Sequence, residues 1–171
     1  MTVSARHAEP VGGMKTLPGP VTDALYRIAY RAAHPLWRSY LKLFRRRTRG
    51  AQVAVWNGGR VLLVRNSYRR TYVFPGGYVR DGEDTATAAS RELFEETGIR
   101  VPADRLGFSF AWSQTSGGLE AHDDIYECRL DRQPATSIDN REVVEARFMT
   151  PGAALALPLE QHVRQYLSAG S

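Results

Sequence analysis

Glu92, Glu95 and Glu96 crowd together in "SRELFEET", and the helix that this segment predicts contains no lysine to balance them. At spacings i, i+3 and i+4 the three carboxylates project from one helix face, where each like-charged pair costs a few tenths of a kcal/mol. Ala86, Ala89 and Leu93 form an opposite stripe suited to packing on a sheet. Arg91 stands four residues before Glu95 and can hold its carboxylate. A hard divalent cation removes the repulsion, because Mg²⁺ prefers carboxylate oxygens and substrate phosphates as partners. From these residues alone, an acidic face bathed in water remains the alternative.

The surrounding elements decide between the two readings. Gly76 and Gly77 mark a tight turn after "TYVF", Asp84 is placed to cap the helix, and Gly98 to end it. Upstream, "AQVAVW", "NGG" and "RVLLVRN" read as a hairpin, with Asn57-Gly58 supplying positive φ. Downstream, "LGFSFAWSQT", "DDIYECRL" and "REVVEARFM" read as strands, the first two around a Gly117-Gly118 loop. "LEQHVRQYL" reads as a closing helix. Residues 1–20 are poor in bulky apolar side chains and predict a disordered leader. A helical period runs over 21–44, interrupted at Pro35, and Arg45–Gly50 reads as its basic, glycine-stopped end. The expected organisation is a leader at 1–20, a basic amphipathic arm at 21–49 and a layered α/β domain at 50–171.

Gly77, Glu83, the run Arg91-Glu92-Leu93-Phe94-Glu95-Glu96-Thr97-Gly98 and Ile99 resemble the complete signature of the Nudix hydrolases, with no fixed position eroded. The resemblance implies a Nudix-like α/β/α sandwich with a mixed sheet, preceded here by the helical extension. It implies hydrolysis of a pyrophosphate bond in a nucleoside diphosphate linked to another moiety. It further implies that Glu92, Glu95 and Glu96, with Gly76 beside them, hold Mg²⁺ or Mn²⁺, that Arg91 orients Glu95, and that Glu83 assists from the loop. The general base commonly lies outside the signature; Glu120, Asp123, Asp124, Glu142 and Glu145 are candidates. Glu120 ranks first among them, from its place beside a glycine loop. Arg65, Arg69 and Arg70 are candidate phosphate contacts. Tyr72, with Phe74, Tyr78, Phe110 and Trp112, is a candidate for stacking on a base. A nucleotide-sensing module without catalysis and an RNA 5′-end pyrophosphohydrolase are the alternative functions.

The net charge of +5 is unevenly spread. Residues 1–49 hold ten Lys/Arg against two Asp/Glu, whereas residues 50–171 hold thirteen against sixteen. The arm therefore suits contact with its own domain, with a second subunit in a homodimer, with an anionic bilayer, or with RNA phosphates. One cysteine, Cys128, excludes an internal disulfide and fits a reducing compartment. No apolar run approaches the ~18 residues of a membrane span, and the first residues lack a signal peptide's apolar core. The expected location is the cytoplasm, with peripheral membrane contact as the alternative.

Overall fold

The computed structural model describes residues 23–29, 32–33, 48–116 and 119–169. The leader and most of the expected basic arm lie outside these residues. Residues 23–29 are helical (α1). Asp23 Oδ1 accepts from Arg141 Nε at 3.1 Å, and the Arg141 guanidinium lies over the Tyr26 ring at 4.4 Å.

The domain is built on β1 (Thr48–Asn57), β2 (Arg60–Asn66), β3 (Gly76–Tyr78), β4 (Gly107–Ser116), β5 (Leu119–Arg129) and β6 (Val143–Met149). The strand order is β4-β5-β1-β2-β6, with β3 pairing the first half of β1. β1 runs parallel to β5, from Thr48 opposite Ala121 to Trp56 opposite Arg129, and the other pairings are antiparallel. A central strand covered on both faces is largely apolar on both, and Ala51-Gln52-Val53-Ala54-Val55 is buried throughout with Gln52 as its one polar side chain.

Alternation along β1 splits the core into two layers. Ala51, Val53 and Val55 join Ala88, Ala89 and Leu93 of α2 (Thr85–Thr97) on one face. Ala54, with Val61, Leu63 and Ile125, joins Ala154 of α3 (Pro151–Leu155) and Val163 and Leu167 of α4 (Gln161–Ala169) on the other. The result is a three-layer α/β/α sandwich with a mixed sheet.

Three local expectations change. Gly76 and Gly77 are not a turn: they open β3 and pair with Gln52 and Ala51 of β1. The hairpin loop is Gly58-Gly59, with φ of 53° and 74°. Asn57 stays in β1 opposite Arg60, and its amide donates to Leu130 O at 2.8 Å. Gly50 is not a helix stop, because β1 begins at Thr48 and Gly50 pairs with Asp123 of β5 and Tyr78 of β3.

Candidate functional site

Asp84 caps α2 by accepting from Thr87 N at 2.9 Å, and Gly98, at φ 73°, ends it with its N–H on Phe94 O. Between these stops, Glu92, Glu95 and Glu96 share one face, with Glu92 and Glu96 against Gly77 and Gly76 of β3. Glu96 is only 8% exposed. Its Oε2 accepts from Gly76 N at 2.9 Å and its Oε1 from Asn66 Nδ2 at 3.2 Å. Burial nevertheless pushes its carboxyl up to about 8, because those neutral donors do not replace lost hydration. Glu92 is pushed up by burial as well. Its carboxylate lies against Gly77, where a Cβ would stand 2.7 Å from Oε2. A glycine is what lets helix and strand approach so closely. Glu95 is more exposed and meets Arg80 Nη2 at 3.4 Å.

Arg91 does more than its spacing from Glu95 suggests. Its Nε and Nη2 clasp both oxygens of Glu83, each at 2.9 Å, and its Nη1 donates to Glu92 Oε1 at 2.6 Å. The contact with Glu95 is longer, at 3.3 Å. Nη2 also donates to Tyr78 O, so one guanidinium ties helix, strand and loop together. It holds the Glu83 carboxyl down at about 2. Arg91 is thus chiefly an anchor for Glu83 and Glu92, and only secondarily an orienter of Glu95.

Among the base candidates, Glu142 stands with the helix carboxylates. Tyr68 Oη donates to its Oε1 at 3.3 Å, and Ser67 N donates to its carbonyl at 2.7 Å. Asp139 Oδ1 accepts from the backbone of Arg141 and Glu142, around Asn140 at φ 60°. Burial raises the Glu142 carboxyl, and the charges of Glu92 and Glu95 raise it further. Glu120 is exposed near the start of β5, where its carbonyl faces Thr48 Oγ1 at 3.5 Å. Glu145 accepts from Arg65 at 3.0 and 3.2 Å. Asp124 lies beside His122, 3.6 Å from its Nε2. Asp123 faces Gln52, whose Nε2 donates to it at 3.3 Å.

The candidate substrate contacts are dispersed. Arg65 is paired with Glu145, and Tyr72 beneath it is buried in the core. Arg69 lies over Tyr68, 3.7 Å from Glu160, and Arg70 is exposed. Phe74 is buried, Phe110 stacks on Tyr166 at 5.8 Å, Tyr78 is exposed and Trp112 is half-buried. Sequence reasoning passed over Asn66, Tyr68 and Arg80. Their partners lie 15 to 74 residues away, and only the fold supplies them.

The donor set suits a hard divalent cation. Glu83, Glu92 and Glu95 pair with the guanidiniums of Arg80 and Arg91, Glu96 and Glu142 are held by neutral donors, and burial raises the carboxyls of Glu92, Glu96 and Glu142. Buried like charges of this kind call for a compensating cation. Among the described residues no three acids, histidines or cysteines converge at ligand spacing. Arg91, Asn66 and the Gly76 amide occupy oxygens that a cation would take over.

A NUDIX domain model matches residues 46–169. Two relatives extend the likeness. The chain is 35% identical over 79 residues to a MutT-like protein of Streptomyces ambofaciens, across 46% of this chain and 49% of that protein. It is 39% identical over 80 residues to nucleoside diphosphate-linked moiety X motif 6 of Mus musculus, across 45% of this chain and 25% of that one. The matches thus span half or less of either relative. The fold is that of a MutT NUDIX hydrolase from Burkholderia pseudomallei, at TM-score 0.63, 20% identity and coverage of 72% and 97%. It is also that of the NUDIX domain of Shewanella oneidensis NrtR complexed with ADP ribose, at TM-score 0.64, 18% identity and coverage of 75% and 89%. With the signature complete and its carboxylates gathered on one turn, this chain belongs to the Nudix hydrolase family.

Proposed function

We propose that the protein hydrolyses a pyrophosphate bond in a small nucleoside diphosphate derivative and that it depends on Mg²⁺, with Mn²⁺ as a substitute. The observation that carries this reading is the set of carboxylates beside Gly76 and Gly77, of which Glu92, Glu96 and Glu142 are raised by burial, with fewer cationic side chains than acids. Glu92, Glu95 and Glu96 would hold the cation, with Gly76 beside them. When bound, such a cation neutralises the diphosphate and acidifies an attacking water. Arg91 keeps Glu83 and Glu92 in place, so that the ligand face does not collapse between turnovers. Glu142 receives the proton as the water oxygen attacks phosphorus and the bridging P–O bond breaks. A carboxyl raised by burial is a better base than an exposed one. Glu142 is preferred to Glu120 on this ground and on its place among the helix carboxylates.

A nucleotide as substrate is supported by the ADP ribose bound to the NrtR domain of the same fold. The test is chromatographic detection of the two phosphate-bearing products from a panel of nucleoside diphosphate sugars, dinucleoside polyphosphates, nucleoside triphosphates, coenzyme A and 5′-triphosphorylated RNA, with Mg²⁺ and with chelator. Metal-dependent turnover of at least one small member is expected, and Glu96→Gln should lower it at least a hundredfold while the protein stays folded. Nucleotide binding without any turnover would favour a sensing module instead.

A further inference from the structure

On the face of the sheet opposite α2, a second polar group lies beside the glycines of β3 and takes no part in the chemistry above. His162, near the start of α4, is buried, and its Nε2 lies 2.9 Å from Gln52 Oε1. Gln52 Nε2 donates in turn to Asp123 Oδ2. Direction follows from the partners. A carboxylate only accepts, so the Gln52 amide presents its nitrogen to Asp123 and its oxygen to a protonated His162 Nε2. Burial holds His162 neutral, at about 4, which leaves that single donor tautomer. The relay fixes Asp123 by one oxygen and leaves Oδ1 as an acceptor.

The surroundings of Asp123 are equally specific. It pairs across β4–β5 with Trp112, so the two side chains are neighbours on one sheet face, each partly open to solvent. The Trp112 ring tilts over His162 at 6.0 Å, and its indole N–H finds no acceptor among the described residues. Asp123 also pairs with Gly50, whose missing Cβ is the space that the Asp123 carboxylate occupies. That same Cβ position is 3.3 Å from Gly77 O, and Gly77 itself abuts Glu92. Two glycine backbones are therefore all that separates Asp123 from the carboxylate face of α2.

We propose that Trp112 and Asp123 form the nucleobase subsite, Trp112 stacking on the ring and Asp123 accepting from an exocyclic amino group. The proposal rests on the nucleotide-hydrolase reading and names the class of base that reading leaves open. A carboxylate oxygen offered to a base rewards an amino group and repels an oxo group at the same position. Gln52 and His162 act through Asp123 as positioning residues. Stacking is indifferent to the base edge, so the two subsite residues should fail in different ways.

Mononucleotide binding by titration calorimetry tests this without requiring turnover. The pairs are AMP against IMP and CMP against UMP, which exchange an amino for an oxo group, and GMP against IMP, which adds an amino group. In the wild-type protein the amino member of at least one pair should bind at least tenfold tighter. Asp123→Asn, which presents a donor beside the acceptor, should shrink that preference to threefold or less. Trp112→Leu should weaken both members about tenfold and leave their ratio alone. Glu96→Gln should keep the preference while abolishing hydrolysis. Equal affinities within every pair, a preference untouched by Asp123→Asn, or no mononucleotide binding at all would overturn the subsite. Discrimination in a protein that hydrolyses nothing would leave the subsite standing and remove the enzyme.

Discussion

Glu142 and Glu120 are the same residue type in different surroundings, and the difference decides their chemistry. Glu142 is hydrogen-bonded by Tyr68 and raised by burial, whereas Glu120 is exposed. Glu142→Gln is therefore expected to lower kcat by about 10²–10⁴ with little change in KM, and Glu120→Gln by less than threefold, in steady-state kinetics. That the acids of the signature share one helix face was legible from spacing, because i, i+3 and i+4 fix that face. The place of Glu142 beside them was not, because it depends on the loop around Asn140. His162 offers a second residue-scale check. Its folded value, about 4, is below its ordinary 6.5, so the unfolded chain takes up the proton first. The contribution of His162 to stability is fully present above pH 6.5 and falls by about 3 kcal/mol as pH drops through 4, while the raised Glu96 carboxyl acts in the opposite direction. Glu160 and Arg69 bear on this group with opposite signs, and neither reverses the direction. Denaturant titrations at pH 7 and pH 4.5 should show a steeper loss for the wild type than for His162→Gln.

At the scale of elements, the Gly76-Gly77 start of β3 separates folding from activity. A Cβ on Gly76 would overlap Ala51 O and stand 2.6 Å from Gln52 Cα, both backbone atoms that cannot yield. Gly76→Ala should cost about 1–3 kcal/mol, read as a lowered melting temperature. A Cβ on Gly77 would meet the mobile end of Glu92 instead. Gly77→Ala should stay folded but lose at least tenfold in kcat, because Glu92 is pushed off its place. The existence of the strands and of α2, with both of its caps, was readable from periodicity and capping residues. The parallel pairing of β1 with β5 was not, since no local pattern records a partner some 70 residues away. The short α3 was passed over although Thr150 and Pro151 form a ready N-terminus, with Thr150 Oγ1 accepting from Ala153 N.

The whole molecule joins an acidic domain to a basic N-terminal segment. Of the expected arm, α1 and residues 32–33 and 48–49 are described, and α1 is attached through Asp23 and Tyr26 to Arg141, next to Glu142. No helix among the described residues is long and apolar enough to cross a membrane. A chain shortened to begin at residue 46 is expected to remain folded and to hydrolyse substrate, as read by circular dichroism and chromatography of the nucleotide products. If the arm contacts an anionic bilayer, that truncation abolishes flotation with phosphatidylserine vesicles; equal flotation of both chains would remove the membrane role. The most direct test of the account is calorimetric titration of the wild-type protein with Mg²⁺ and Mn²⁺, in the presence of a non-hydrolysable diphosphate analogue. Saturable uptake of the cation, abolished in Glu92→Gln and Glu96→Gln, is the expected result. No uptake of either cation by the wild type would contradict it.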